Sequence, residues 1–593
     1  MVEVDSGVHE IMDEAYIRAK KCIDECKSFV FEAGAGSGKT YSLVQCLKYI
    51  INDKAISLLD KGQRIACITY TNVAKNEIED RTDSHPCVYA STIHSFCWSL
   101  MCGFQAEMRT LLPSIGKWAK RIEEFEGGLS NQAILYDLGW PSIDENLITL
   151  HHDDVLALAK ILLEKQKFQR IVYSKYPIIF IDEYQDTDQG FMEAILSVIG
   201  KTENAILLGL FGDHWQRIYG SKTCGKVSCP SLEVINKQSN FRSAKPVVEV
   251  LNRIRPDLLQ LPEKANVSGE VRVFHTNGWN GVRRTGSHWS GDLPAEDAHN
   301  ALSFVKEELA KNGWGQEIKI LMLTHKLLAS EQGYLHLAEV FPNSEKYIKR
   351  EDPYMAFFID VIEVFCDEYL AFHYGKAFSI MEAFFIKSQT SEDKRKIKQD
   401  IDQLIEIRKV GNISDMIEFI GHAYSLRLPQ RLIEQEQIYR EILEIPLEER
   451  DDRQSIIAKR RSELGEVPYK EVIEVSKFVN EFTPFSTNHG VKGSEFTNVL
   501  VVIGRGWSQY NFNQMLEWMS DQVPMSKEAT FERNRNLFYV ACSRAKERLS
   551  ILFTQELSAN AIDTLNRLFG RDNVFDIAES GRIGQEQKGT SPF

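Results

Sequence analysis

Two stretches of this chain combine residue types at spacings that suit phosphate chemistry. The first, Ala33-Gly34-Ala35-Gly36-Ser37-Gly38-Lys39-Thr40, closes a short apolar run and opens a helical one. Glycines at such a junction let backbone N–H groups wrap a β-phosphate at a helix N-terminus. The lysine that follows reaches the β- and γ-phosphates, and the neighbouring hydroxyl ligates Mg2+. Ala33 stands where the general pattern has glycine. The second stretch, Pro177-Ile178-Ile179-Phe180-Ile181, reads as a buried strand and runs into Asp182-Glu183. That order offers one carboxylate to a metal and a second to an attacking water. The expected site therefore has Thr40 and Asp182 as Mg2+ ligands, Lys39 on the phosphates and Glu183 behind the water.

Those residues need elements that hold them. Between 27 and 96, short strand-like runs (Lys27–Ala33, Gln63–Thr69) alternate with helix-like ones (Tyr41–Leu47, Val73–Asp80), the pattern of a parallel α/β sheet. Residues 97–170 are mostly helical in periodicity, and the α/β pattern returns at Tyr176–Ile181 and Asn204–Leu210. From 391 to 480, 35 of 90 residues are charged, and Leu432, Ile433, Ile438 and Ile442 recur at helical spacing. This segment reads as solvated amphipathic helices without chemistry of their own. Strand-like runs resume at Thr497–Ile503 and Leu549–Phe553, and a polar tail from Gly581 to Phe593 is expected to be disordered.

Composition narrows the classes. With 593 residues, two to four domains are expected. The longest apolar runs, such as Ile178–Ile181 and Val499–Ile503, are far short of the ~20 residues that span a bilayer. The N-terminal Met1-Val2-Glu3-Val4-Asp5 lacks a secretory pattern, so a cytoplasmic location is the expectation. Eleven cysteines, none in a C-x-x-C pair, read as reduced thiols. A net charge of −14 excludes a histone-like binder and requires any nucleic acid to be held in a local groove.

The pattern then becomes that of a family. Asp182-Glu183-Tyr184-Gln185-Asp186-Thr187 resembles the DEFQDT signature of superfamily 1A helicases, the family of UvrD, Rep and PcrA. The remaining motifs follow in order. Thr69-Tyr70-Thr71-Asn72 with Ala74, Glu77 and Arg81 resembles motif Ia, and Ser91-Thr92-Ile93-His94-Ser95-Phe96 resembles motif Ib. Gly212 to Tyr219 resembles motif III, Asn240-Phe241-Arg242-Ser243 motif IV, Thr487 to Phe496 motif V and Leu537 to Lys546 motif VI.

The resemblance implies an α/β fold of two RecA-like parallel-sheet P-loop domains, each with a largely helical insertion. Its expected layout is domain 1A over 1–96 and 166–245, with a helical insertion 1B over 97–165. Domain 2A is expected over 246–345 and 481–575, with a 2B-like insertion over 346–480 and a tail over 576–593. ATP and Mg2+ are the implied cofactors. By resemblance, Gln216 senses the γ-phosphate, Arg242 and Arg544 reach it from the second domain, Phe241 stacks on adenine and Glu495 bonds the ribose. Gly493 joins the nucleotide site within motif V. Tyr70, Thr92, His94, Tyr219 and His489 occupy positions the family uses along single-stranded DNA.

Several residues depart from the pattern. The family glutamine that reads adenine upstream of the phosphate loop is missing, since residues 1–44 contain no Gln. Ser221-Lys222-Thr223 replaces the usual Trp-Arg-Gly after motif III, and Trp215 is unusual within it. No nuclease-like segment follows Lys546, so any DNA cleavage is expected from a partner chain. These features resemble the helicase-like subunit of the Gabija anti-phage system. Two readings result: an ATP- and Mg2+-dependent DNA translocase or helicase moving 3'-to-5' on single-stranded or partly duplex DNA, or an ATPase subunit that senses DNA or nucleotide and gates a separate nuclease, with little unwinding.

Overall fold

A computed structural model of the chain describes residues 14–577 apart from 126–127, 137–140, 199–205, 219–221, 264–266, 287–288, 316, 324–328, 330, 342–344, 349, 351, 381–389, 480–484, 488–493 and 506–509. The expected tail from 581 lies outside the described residues. Two compact units divide the chain: Met1–Glu270 with Ser526–Glu547, and Val271–Met525 with Arg548–Phe593.

The first unit is built on β1 (Phe29–Ala33), β2 (Ile65–Thr69) and β3 (Val88–Thr92). A small sheet of β4 (Ala133–Tyr136), β5 (Ser142–Ile143) and β6 (Leu147–Leu150) comes next, followed by β7 (Ile178–Asp182), β8 (Leu207–Gly212) and β9 (Glu233–Lys237). The main sheet runs β3-β2-β7-β8-β1-β9, with every pairing parallel. Strands β1, β2, β7 and β8 are buried along their whole length, which is why they read as continuous apolar runs rather than alternating ones.

Side chains still alternate between the two faces. Phe29 and Phe31 pack with Phe180, Phe211 and the helix Lys39–Asp60 on one side, while Val30, Ile179, Leu208 and Leu210 join Phe96, Leu158 and Phe168 on the other. Gly209 makes room for the aromatic cluster, because a Cβ there would stand 2.6 Å from Phe180 Cδ1 and 3.0 Å from Phe29 Cζ. The segment between β3 and β7 is mostly helical, as expected, but also holds the β4-β6-β5 sheet. Its strands have two to four residues, too few for a period-two pattern to stand out. Two short strands, β10 (Ser239–Asn240) and β11 (Leu261–Pro262), pair in parallel beyond the main sheet.

The second unit centres on a sheet of β12 (Glu270–His275), β13 (Ile318–Met322), β14 (Phe485–Thr487), β15 (Phe496–Ile503), β16 (Ala545–Phe553) and β17 (Val574–Asp576). Its order is β14-β13-β15-β16-β12-β17, and β13 pairs in parallel with β14 and β15. Five helices, Ser391–Val410, Ile413–His422, Gln430–Glu444, Asp452–Glu466 and Tyr469–Val479, form the charged segment. Capping boxes start three of them, at Thr390/Asp393, Asn412/Asp415 and Asp451/Gln454. Among the described residues no helix is long and apolar enough to cross a membrane. The fold is α/β, two RecA-like parallel-sheet units with largely helical insertions.

Candidate nucleotide site

The phosphate loop leaves β1 at its carboxyl end and enters the helix Lys39–Asp60. Gly36 and Gly38 adopt φ of 78° and 74°, the left-handed region that other residues enter at a cost. No side chain caps this helix at Gly38, so its first amides face the concavity that the loop encloses. Space around the loop is tight. A Cβ on Gly36 would sit 2.6 Å from Arg242 Cβ, and one on Gly34 would sit 2.6 Å from Gln260 Nε2.

Lys39 Nζ lies 2.5 Å from Glu183 Oε1. Burial alone would lower the Lys39 pKa, but the Glu183 and Asp182 carboxylates outweigh it and hold it above the ordinary value. Asp182 ends β7, two strands from β1. Burial pushes its pKa up to about 6, against the pull of the Lys39 ammonium. Glu183 follows in a left-handed conformation, φ 50°. A non-glycine residue held there costs of order 1–3 kcal/mol, and such strain concentrates at functional sites. Here it accompanies a carboxylate bound at one oxygen by Lys39 and at the other by Gln185 Nε2, 2.5 Å away.

Gln185 extends the network. Its Oε1 accepts from the Asp213 amide at 3.1 Å. Asp213 Oδ2 accepts from Gln216 Nε2 at 2.9 Å, and Gln216 Oε1 faces Arg544 Nη2 at 3.4 Å. Arg544 is buried, donating from Nε to the Val540 carbonyl at 3.0 Å. Arg242 Nη1 donates to the Ser543 carbonyl at 3.1 Å. The Phe241–Arg242 turn and the helix Glu528–Cys542 belong to the same compact unit as the loop.

Phe241 is 48% exposed beside Gly38, and its amide donates to the Gly36 carbonyl at 2.8 Å. Lys237, buried at the end of β9, donates to Ser42 Oγ at 2.8 Å and stands 5.5 Å from the Phe241 ring. An exposed aromatic face beside a phosphate loop suits a stacked base.

The residues present fit a nucleotide and its metal. Ser37 Oγ is buried in the loop with no hydrogen-bond partner among the described residues, and a buried hydroxyl left so is costly unless a ligand answers it. Thr40 and Asp182 would hold Mg2+, which when bound neutralises charge developing on the phosphate oxygens.

Residues expected along a nucleic-acid track stand at the carboxyl ends of neighbouring strands. Thr69 and Thr92 are register partners of β2 and β3, so Tyr70 and His94 follow on adjacent strand ends. Tyr70 is 44% exposed. Thr92 caps the helix Ile93–Met101, accepting from the Ser95 amide. His94 lies edge-on to His152 with centroids 4.5 Å apart, and burial, with His152 next, pushes its pKa down to about 4. Glu77 and Arg81 pair with each other at 2.7 Å. Glu495 stands on the second unit, just before β15. Tyr219, His489 and Gly493 lie outside the described residues.

Further residues shape the site, several of them quoted within the motifs but given no role there. Asn240 Nδ2 and Gln260 Nε2 both donate to the Ala35 carbonyl, at 3.0 and 3.1 Å, and Tyr539 Oη accepts from the Ala35 amide at 3.3 Å. Trp215 is buried, with Arg535 3.7 Å and Arg255 5.6 Å from its ring centre. Glu32, on β1, accepts from Tyr184 Oη and lies 3.3 Å from His214 Nδ1. A lone charge inside an apolar strand was the one available signal for Glu32; nothing local marks Gln260 or Arg255.

Comparison with known proteins agrees with this geometry. A family model described as an AAA domain matches residues 19–222. The Gabija protein GajB of Bacillus cereus is 25% identical, with 90% of this chain and 94% of that protein aligned. The ATP-dependent DNA helicase PcrA of Staphylococcus aureus is 24% identical over 40% of each chain. PcrA of Staphylococcus epidermidis is 24% identical over 37% of each.

Proposed function

We propose, from the premise that this chain is a superfamily 1 helicase-like protein of the UvrD/PcrA type, that it is an ATP-dependent DNA translocase or helicase. The observation that carries the reading is the connected set Lys39–Glu183–Gln185–Asp213–Gln216–Arg544 around the loop. Lys39 and the loop amides bind the phosphates, and Asp182 with Thr40 holds Mg2+. Glu183 orients the water and takes its proton, since its carboxylate lies at the edge of the loop. Arg242 and Arg544 counter the charge that develops on the γ-phosphate, and Gln216 links that charge state to the rest of the unit. Phe241 carries the base, and the resemblance assigns Glu495 and Gly493 of motif V to nucleotide binding.

Single-stranded DNA would cross the carboxyl ends of β2 and β3 at Tyr70, Thr92 and His94, with Tyr219 and His489 as the further contacts that the resemblance assigns, and ATP cycles would move it 3'-to-5'. The two RecA-like domains would keep the boundaries that the resemblance implies, except that residues 526–547 group with the phosphate loop, and the protein would act in the cytoplasm. A streptavidin-displacement assay tests direction: the chain should strip streptavidin from a 5'-end biotin and leave a 3'-end biotin occupied, and the reverse pattern refutes the direction. The likeness to GajB over most of both chains favours a second reading, an ATPase subunit that gates a separate nuclease in anti-phage defence. ATP turnover without strand displacement, together with co-purification of a nuclease, selects that reading.

A further inference from the structure

The hydrolysis reading assigns no role to Arg255, although it is one of the most deeply buried cations of the first unit. It follows the helix Lys245–Ile254, and its side chain is 2% exposed. Its Nη1 lies 2.6 Å from Asp213 Oδ1, its Nη2 3.9 Å from Glu32 Oε2 and its Nε 3.6 Å from Asp257 Oδ1. The guanidinium also lies 5.6 Å from the Trp215 ring centre and 5.8 Å from that of Tyr539. Burial opposes its charge, but Asp213, Tyr539 and Asp257 hold its pKa above the ordinary value. A cation kept in such a place is expensive unless each carboxylate around it is used.

The use is visible one bond further on. Asp213 is fully buried. Its Oδ1 takes the Arg255 guanidinium and the Trp215 amide, the latter at 3.0 Å, and its Oδ2 takes Gln216 Nε2 at 2.9 Å. A primary amide can turn end for end with little change in shape, and only its partners decide which end faces where. Here Asp213 fixes the NH2 end of Gln216, so the oxygen end is the one presented to Arg544 Nη2, 3.4 Å away. Were Asp213 to swing away, Gln216 could present NH2 to a guanidinium, two donors facing each other. Arg255 guards against this, because its Nη1 holds Oδ1 in place at 2.6 Å while its other nitrogens face Glu32 and Asp257.

We infer that Arg255 is a positioning residue for nucleotide hydrolysis: it pins Asp213 so that Gln216 holds its amide oxygen toward Arg544. The inference rests on the hydrolysis reading above and deepens it. Trp215 has a part in the same device. Its buried indole packs near both Arg255 and Arg535, whose guanidiniums lie 5.6 and 3.7 Å from its ring centre. That arrangement gives a reason for a large aromatic at this point of the motif.

The test is a double-mutant cycle on the full chain, with kcat and KM for ATP measured at saturating single-stranded DNA. Arg255→Lys keeps the charge and loses the fork, and should lower kcat by about 10- to 100-fold, the range seen when a residue supporting a functional group is lost. KM should stay within about threefold, because the phosphate loop is untouched. Gln216→Ala should lower kcat by itself. Adding Arg255→Lys to it should cost less than about twofold more, since Arg255 acts through Gln216. Arg255→Gln serves as a second variant, with thermal melting recorded for each to separate lost fold from lost positioning.

Losses that multiply in the double variant overturn the inference, as does an Arg255→Lys chain that turns over normally. A chain without substitutions that hydrolyses no ATP, with or without DNA, overturns the underlying reading instead, and the inference falls with it.

Discussion

Replacing Asn240 with alanine isolates the join between the phosphate loop and the turn that carries Phe241 and Arg242. Asn240 is fully buried and makes four hydrogen bonds. Its Oδ1 accepts from the amides of Arg242 and Ser243, at 3.0 and 2.9 Å, and its Nδ2 donates to the Ala35 carbonyl and Gln260 Oε1, at 3.0 and 3.2 Å. The Ala35 carbonyl keeps its bond from Gln260 Nε2, so it is not orphaned. The Ser243 amide belongs to a fully buried residue and loses its side-chain acceptor. Leaving such a donor unmet costs about 1–3 kcal/mol. The half-buried Arg242 amide and Gln260 Oε1 add smaller amounts, which brings the local loss to about 2–4 kcal/mol.

At about 1.4 kcal/mol per factor of ten, protection of the Ser243 amide against hydrogen exchange should fall by roughly 30-fold or more. Turnover should fall with it, because Arg242 is held by this turn. Hydrogen-exchange mass spectrometry of peptides over 239–247 and 33–40, beside steady-state ATP hydrolysis, reads both effects. Exchange within about threefold of the unsubstituted chain, with unchanged kcat, would refute the reasoning that buried side-chain bonds to the backbone fix this turn.

Further outcomes follow from other parts of the structure. Glu183→Gln keeps the side chain's shape but removes the base and one of its two acceptor oxygens, so hydrolysis should drop by about 10²–10⁴-fold while ATP is retained, as filter binding would show; full activity would take Glu183 out of that role. Phe241→Ala, which removes an exposed ring, should raise KM for ATP by about 5- to 150-fold, corresponding to about 1–3 kcal/mol of stacking, with little change in melting temperature. In the second unit, burial pushes the Asp292 carboxyl up to about 6, against hydrogen bonds from Thr554 and the amides of Arg505 and Leu293. The folded chain therefore holds this proton more tightly than the unfolded one, whose carboxyl titrates near about 3.9. Its contribution to stability is full below about pH 4 and is lost as pH rises through 6, a swing of about 3 kcal/mol. Urea midpoints between pH 4 and 7 should show this slope in the parent and not in Asp292→Asn, and equal slopes would contradict it.

The sequence made the nucleotide site legible because phosphate chemistry demands particular residues in an unbroken order. Gly36, Gly38, Lys39 and Thr40 must be contiguous, and Asp182-Glu183 must cap a buried strand. What holds the site was hidden because it comes from distant segments. Gln260 reaches Ala35 across 225 positions and Asn240 across 205; no local pattern marks Gln260, and the motif that contains Asn240 gave no sign of this contact. Trp215, anomalous in the sequence, packs in the structure near the guanidiniums of Arg255 and Arg535. Thr92 and His94, singled out for contact with a strand, also cap a helix and pack on His152. The β4-β6-β5 sheet lay below the length at which alternation can be read.

The central claim is that a nucleotide site built from Lys39, Asp182, Glu183 and Gln216 is coupled to DNA. Its most direct test is the ATP hydrolysis rate of the purified chain with and without single-stranded DNA, with Lys39→Ala as the blank. Turnover should rise strongly with DNA and vanish in Lys39→Ala. Turnover that ignores DNA, or that survives loss of Lys39, would contradict it.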